Sequence, residues 1–343
     1  MKKRLLALAT AVVLCVSMLV GCGAANSTET EGGNPGSETV KIVCGYGVGG
    51  TADLVARKFA MVANRLHPEY NFIVENMTGG DGFAAATYFA EQEVGTKDML
   101  VYQYGMCYRH DLGKAYGTEV VDFDRKAMQP IGTIDDRTWI LYTTPDKSLA
   151  DILEKAKTTG LKMSGGNPLS DCHLALGSLL AMEGGKVMVV PYDGGASQKK
   201  ALTDGEVDVF VGTTQVGAEE VEAGVMVPVL AFSDHAFEGF KDASGPITVP
   251  SVVGDAMAAE LTKSNDYSQC ILPAGGALAV RAGTDQAWID AMSQVMKDVW
   301  EDPEYNGWIA DNLLNRFEVY DEEAVKFFDD ACSKAVATFD LLK

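Results

Sequence analysis

The chain reads as an α/β protein of two lobes, each a sheet flanked by helices. Three observations predict this class. Short apolar runs alternate with helical stripes, and the junctions between them are rich in glycine and other small residues. The series runs through once up to about residue 102 and starts again near residue 161 with a different sequence. Alternating strands and helices build a parallel sheet, and a series that restarts builds a second one.

A segment of another kind precedes the first strand. Met1-Lys2-Lys3-Arg4 leads into an apolar stretch from Leu5 to Val20, closed by Gly21-Cys22. The stretch is shorter than the ~20 residues that span a bilayer, and a basic start, apolar middle and small-residue end have the form of an export signal. Small residues before a cysteine resemble the lipobox of bacterial lipoproteins. That implies a signal peptide over residues 1–21 and a lipid on Cys22, outside the cytoplasmic membrane; an uncleaved anchor helix would give the same location. Residues 22–39 are small, polar and nearly free of apolar side chains, too poor in hydrophobic surface to fold. As a flexible tether they reach roughly 20–25 Å.

The folded body then opens on its most informative junction. Val40 to Cys44 is a strand, followed by Gly45-Tyr46-Gly47-Val48-Gly49-Gly50-Thr51 and a helix in which Val55, Phe59, Val62 and Leu66 recur at helical spacing. Four glycines here let the backbone pass close to a ligand and aim N–H groups at an anion. Asn71 to Glu75 forms the second strand, Asn76-Met77-Thr78-Gly79-Gly80-Asp81-Gly82 a second glycine junction, Phe83 to Gln92 a helix and Met99 to Tyr102 a third strand. Such turns lie at the C-terminal ends of parallel strands, where open α/β sheets bind ligands.

Trp139 to Tyr142 is another strand, and a helix begins at Ser148-Leu149. In the second series Leu161 to Met163 leads to Ser164-Gly165-Gly166-Asn167-Pro168-Leu169, and a helix from Ser170 to Glu183 stops at Gly184-Gly185. Val187 to Tyr192 leads to Asp193-Gly194-Gly195 and a helix from Ala196 to Thr203. Val207 to Val211 leads to Gly212-Thr213-Thr214, and Val227 to Phe232 is one more strand. Ile271 to Val280 reads as a strand pair. Ile289, Met292, Met296 and Val299 form a helical stripe ended by Pro303, and Val325, Phe328, Cys332, Ala335, Val336 and Phe339 line the last helix. The methionines are core fillers that need no cofactor.

Composition excludes several classes. The net charge is −20, and −23 once Lys2, Lys3 and Arg4, the only charged residues of the signal, are gone. A body so acidic is a poor partner for nucleic acid or anionic lipid. An anionic ligand would arrive against the long-range field, so local N–H groups and oriented dipoles must hold it. Beyond Cys15 and Cys22 the cysteines are Cys44, Cys107, Cys172, Cys270 and Cys332, odd in number and widely spaced. Buried free thiols are the ordinary reading, and spacing reveals no pairing. There is no G-x-S-x-G elbow and no H-E-x-x-H, and His67, His110, His173 and His235 lack metal-ligand spacing. An enzyme therefore has little support, and no cofactor or metal is implied. One competing spelling remains: Gly45-x-Gly47-x-x-Gly50 fits the dinucleotide fingerprint, with Glu75 where a ribose-binding acid would sit. An export signal and a second glycine-rich turn both count against that Rossmann reading.

Residues 40 to 343 resemble the substrate-binding proteins of tripartite tricarboxylate transporters, the TctC or Bug family of extracytoplasmic solute receptors. The opening strand with Gly49-Gly50 and Asp53 resembles the family's first signature, and Glu75-Asn76 with Gly79 and Gly82 the second. Ser164-Gly165-Gly166 with Ser170 and His173 is similar to the third. Val190-Pro191-Tyr192-Asp193-Gly194-Gly195 with Gly205-Glu206-Val207-Asp208 is similar to the fourth, and Val249-Pro250-Ser251-Val252 to a segment near the second hinge. The resemblance implies a type II periplasmic-binding clamshell, with lobe 1 over residues 40–135 and 250–343 and lobe 2 over 136–249. It implies crossovers near residues 134–140 and 233–250, and a small carboxylate carried to the integral membrane subunits of a tripartite transporter. A sensor that signals its ligand-bound state is the alternative.

The expected ligand-binding residues are Tyr46, Gly47, Val48, Gly49, Gly50, Thr51, Asp53, Asn76, Thr78 and Gly79 in the first lobe. Those in the second are Ser164, Gly165, Gly166, Ser170, His173, Tyr192, Asp193 and Gly194. In the family a ligand carboxylate is held largely by backbone N–H groups and ordered water from the first two turns, with no buried arginine required. Asp53 has a second role open to it, as the acid that an N-terminal helical turn favours, and His173 as part of a turn capped by Ser170. Val48 stands where the family commonly has proline, and Pro168-Leu169 occupies a stretch usually small and glycine-containing, so the opposing wall has its own shape.

Overall fold

The computed structural model describes residues 37–116, 123–166, 168–192 and 194–343. The signal segment, Cys22, residues 22–36 of the tether, Asn167 and Asp193 lie outside the described residues. Among the described residues no helix is long and apolar enough to cross a membrane.

Chain order follows the alternation closely. β1 (Glu38–Cys44), α1 (Thr51–Leu66), β2 (Tyr70–Asn76), α2 (Phe83–Ala90) and β3 (Met99–Gln103) are followed by α3 (Tyr104–Tyr116) and β4 (Met128–Arg137). The second series is β5 (Trp139–Thr143), α4 (Leu149–Thr158), β6 (Leu161–Gly165), α5 (Asp171–Met182), β7 (Val187–Pro191), α6 (Gly194–Thr203), β8 (Val209–Thr213), α7 (Thr214–Glu222) and β9 (Val227–Phe232). A hairpin, β10 (Phe237–Asp242) and β11 (Gly245–Val249), comes next. The chain closes with β12 (Ala274–Arg281), α8 (Gln286–Glu301), α9 (Pro303–Asp311) and α10 (Asp321–Asp340). Local chemistry starts several helices: Ser148 and Asp151 form a reciprocal capping box on α4, and Asp302 caps α9 ahead of Pro303.

The two sheets share one plan. In the first the order is β2-β1-β3-β12-β4, with β1 parallel to β2 and β3, and β12 antiparallel to both β3 and β4. In the second it is β7-β6-β8-β5-β9, with β6 parallel to β7 and β8, and β5 antiparallel to β8 and β9. Each sheet thus has a parallel core and one inserted antiparallel strand. The antiparallel insertion and this order differ from the fully parallel sheet that the dinucleotide spelling would require. Glu75 is also engaged, paired with Lys41 at 3.4 Å.

Each sheet carries cores on both faces. Val40, Ile42, Phe59, Ile289, Val299 and Trp300 pack beneath α1, α8 and α9, while Leu100, Tyr102, Ala277 and Phe328 pack beneath α2, α3 and α10. In the second sheet Leu141, Met163 and Leu179 join the core of α4 and α5, and Tyr142, Phe210, Leu202 and Phe240 that of α6, α7 and the hairpin.

Three expectations change. The strand pair expected over Ile271 to Val280 is a single strand, because Ala274 to Arg281 pairs along its length with β4, and Gly276 to Ala279 with β3, leaving no turn to fold back on. The first crossing falls at Arg137 to Trp139, but the second comes later than residue 250. Val252, Ala258, Leu261, Tyr267 and Cys270 bury in the core of the second sheet, so the chain returns to the first only at about residues 271–274. Finally, Cys107 of α3 and Cys332 of α10 form a disulfide, and Cys44, Cys172 and Cys270 are buried.

Candidate functional site

The first two glycine turns are built against each other. A Cβ on Gly45 would lie 2.8 Å from the Cα of Gly82, and one on Gly82 would lie 2.7 Å from Met106 Cε and 3.1 Å from the Tyr46 hydroxyl oxygen. Only a glycine pair allows this approach. Tyr46 lies across Gly82, half-buried between the turns. Within the first turn the N–H of Gly50 donates to the carbonyl of Gly47 at 3.1 Å, and Gly49 adopts φ +82°. Gly47 to Gly50 are exposed, with Val48 at the tip 77% exposed.

α1 then begins without a side-chain cap, since its N-cap is Gly50. An α-helix leaves its first N–H groups without intrahelical partners, so Thr51, Ala52 and Asp53 add open donors to the positive end of the helix dipole. This is the arrangement that stabilises an anion without a cationic side chain.

Asp53 is the bracket of this arrangement, not an outward contact. It is 1% exposed. Its Oδ2 accepts from the N–H of Gly49 at 2.9 Å, and its Oδ1 accepts from Arg57 Nε at 2.9 Å and Asn76 Nδ2 at 2.7 Å. Asn76 also donates to the carbonyl of Tyr46 at 2.9 Å and accepts from Arg57 Nη2 at 2.7 Å. Burial pushes the Asp53 carboxyl up, but the donors from Arg57, Gly49 and Asn76 outweigh it and hold its pKa below the ordinary value. The carboxylate therefore stays charged and ties both turns together. Thr78 and Gly79 complete the second turn and are exposed, and Gly79, Gly80 and Gly82 all have positive φ.

The turns of the second sheet are joined in turn. Gly165 accepts from the N–H of Tyr192 at 2.9 Å, and Ser164, fully buried, donates from Oγ to the carbonyl of Gln198 at 3.0 Å. Ser164 is thereby committed to fastening α6. Gly166 is exposed, with nothing within 4 Å of where a Cβ would sit, and Gly194 is exposed at φ +77°. Ser170 caps α5 by accepting from the N–H of His173 at 3.4 Å. His173 Nδ1 lies 2.6 Å from the carbonyl of Pro168, which assigns the proton to Nδ1, and Nε2 points along its own helix toward Gly177. Burial lowers the His173 pKa. Ser170 and His173 thus complete their own turn. The Tyr192 hydroxyl donates to Glu206.

This third turn reaches the first lobe. Leu169 and Leu174 pack in its core beside Leu272 and Phe328, and a Cβ on Gly105 of α3 would lie 3.0 Å from Asp171 Oδ2. At the crossing the Thr214 hydroxyl donates to the carbonyl of Leu313, Gln215 Nε2 donates to Asn312 Oδ1 at 3.1 Å, and Asn315 Nδ2 donates to Asp136 Oδ2 at 2.9 Å.

Sequence reasoning missed Asp135 and Arg137, which end β4 as a buried ion pair through Arg137 Nε and Asp135 Oδ2. Burial raises the Asp135 pKa against the pull of Arg137. The available signal was Asp135-Asp136-Arg137 just before the crossing.

No family model and no curated protein matches the chain. Solved structures do. A TctC solute-binding protein from Polaromonas, without ligand, is 17% identical and aligns over 89% of this chain and 98% of its own, with a TM-score of 0.63. A Rhodopseudomonas palustris protein with adipate is 16% identical over 89% of this chain and 97% of its own, with a TM-score of 0.70. MatC from the same organism, with bound malate, is 16% identical over 89% and 99%, with a TM-score of 0.67. At these identities the likeness establishes the fold alone, two five-stranded sheets flanked by helices over nearly the whole described chain.

Proposed function

We propose that this chain is an extracytoplasmic solute receptor of the TctC type. It captures a small carboxylate between its lobes and delivers it to the membrane subunits of a tripartite tricarboxylate transporter. The observation that carries the reading is the pair of glycine turns locked through Gly45, Gly82 and Asp53, which leaves the uncapped start of α1 open at an exposed edge. Gly47 to Thr51 and Thr78 to Gly79 then face the ligand, with Gly166, Tyr192 and Gly194 on the opposing wall. Asp53, Asn76, Ser164, Ser170 and His173 shape the turns. The malate and adipate carried by proteins of this fold support a dicarboxylate of four to six carbons.

Binding uses fixed dipoles in place of a long-range field. The protein is strongly acidic, so capture depends on donors already aimed at the anion and on hinge closure around it. No bond is made or broken. Cleavage before Cys22 and lipidation of its sulfur would hold the receptor at the membrane, and loss of fatty-acid labelling in Cys22→Ala tests that part.

A thermal-shift screen with di- and tricarboxylates, aromatic acids, acidic amino acids and NAD tests the whole. A carboxylate at 100 times its Kd adds ~2.7 kcal/mol of stability. A melt shifted by NAD and by no carboxylate would refute the receptor.

A further inference from the structure

β4 ends in Asp135-Asp136-Arg137, and strand pleating puts Asp135 and Arg137 on one face. Across the sheet Asp135 stands beside Gly276 of β12, Gly276 stands beside Gln103 of β3, and Arg137 stands beside Ala274. Met99 and Val101 of β3 and Ile42 and Cys44 of β1 lie in the core covered by α1, so alternation places Gln103 on that same face. Extending the β1–β3 register from Ile42↔Met99 sets Gln103 level with Tyr46 in the first turn. The row therefore runs along the C-terminal edge of the sheet, at the end where α1 begins.

Its hydrogen bonding is incomplete. Gln103 Nε2, Asp135 Oδ1 and Arg137 Nη2 are buried without partners. Gln103 is 7% exposed and Asp135 fully buried, while Arg137 keeps 11% of its side-chain surface. Gly276 makes room for the amide, since a Cβ there would lie 2.5 Å from Gln103 Nε2. A buried pair selected for stability would use the two-pronged match between guanidinium and carboxylate. Here Asp135 takes Nε alone, which orients the guanidinium and leaves its other donors uncommitted. Buried polar groups without partners are rare enough to require a reason.

We propose that Arg137 and Gln103 form the subsite for a second carboxylate of the ligand. The first carboxylate sits at the start of α1, and Asp135 acts as the positioning residue that aims Arg137. This assignment rests on the receptor reading. It makes the cleft selective for dicarboxylates over their half-amides, because a guanidinium donates to a carboxylate far better than to an amide.

Calorimetric titration of the purified full chain with malate, succinate, adipate and succinamate tests it. The best-bound dicarboxylate is compared in wild type, Arg137→Gln and Asp135→Asn/Arg137→Gln, the last of which removes both charges together and spares the fold an unpaired acid. Dicarboxylate affinity falls 10- to 100-fold in the variants, from the loss of a charged hydrogen bond. Succinamate affinity changes less than threefold, so selectivity vanishes. Gln103→Leu, which leaves the ion pair intact, lowers dicarboxylate affinity 3- to 10-fold. Wild-type binding with either the double variant or Gln103→Leu within twofold of it overturns the subsite and leaves the receptor standing. Failure of wild type to bind any carboxylate overturns both.

Discussion

Replacing Asp53 with asparagine removes one charge at nearly constant volume from the point where the first two glycine turns are tied. The carboxylate accepts three hydrogen bonds, from Gly49 N–H, Asn76 Nδ2 and Arg57 Nε. Bonds to a charged group contribute about 1.5–3 kcal/mol each. Arg57 is 45% exposed, so solvent screens its share to about 0.5 kcal/mol. Asparagine keeps one acceptor oxygen, which saves one neutral donor and loses the other, for an expected destabilisation of about 2–3 kcal/mol. The sign with pH follows from the depressed Asp53 pKa. A carboxyl whose folded value lies below its unfolded value stabilises the fold above the unfolded value and loses that contribution as pH falls through the folded one. Urea unfolding of wild type and Asp53→Asn should show a constant gap from pH 5 to 8 that narrows as pH drops below about 4. A gap under 0.5 kcal/mol at neutral pH, or one that stays constant at acid pH, would show that Asp53 is not the bracket.

Other predictions separate local strain from long-range contact. Gly45→Ala meets the Gly82 backbone, whereas Gly49→Ala meets nothing and bears only its φ of +82°. The second should cost about 1–2 kcal/mol and the first clearly more in the same unfolding assay, with weakened carboxylate binding. Asp136 is raised to about 6 by burial, which Asn315 opposes and Asp135 reinforces. A raised carboxyl stabilises the fold at low pH and loses that contribution as pH rises through the folded value. Asp136→Asn should therefore be the more stable protein above pH 6, by about 1–3 kcal/mol, with the gap closing toward pH 4; parallel stability curves would contradict this. Cys107→Ala/Cys332→Ala should lose about 2–5 kcal/mol, and reductant should lower the Tm of wild type to that of the variant while leaving the variant unmoved in calorimetry.

The parallel strands and glycine turns were legible because their signals are local. Val40 to Thr51 states strand, turn and helix start within twelve residues, and Ser170 announces the cap of α5. β4 was not legible: Pro130, Gly132, Asp135 and Asp136 all disfavour a strand. Gly132 is required there because a Cβ would lie 2.9 Å from Met296 Sδ and Tyr320 Cδ1, far along the chain. α3 escaped for a different reason. Tyr104, Met106, Cys107, Tyr108 and Leu112 are buried around its circumference, so no one-sided stripe marks it. Asp53 was visible as a first-turn acid, but its work depends on Asn76, which only the fold brings near. Arg137 was hidden in the same way, its face being set by the register with β12.

The insertion of β12 between β3 and β4 also dictates an order of assembly. The second sheet draws all five strands from residues 139–232, whereas the first waits for residues 274–281 to fill its middle. As the chain emerges N-terminus first, the five strands of the later sheet can pair while the earlier sheet still holds an open seam between β3 and β4. The first glycine turns gain their rigid floor only after most of the polypeptide has emerged, so the edge that carries them is among the last parts of the molecule to form.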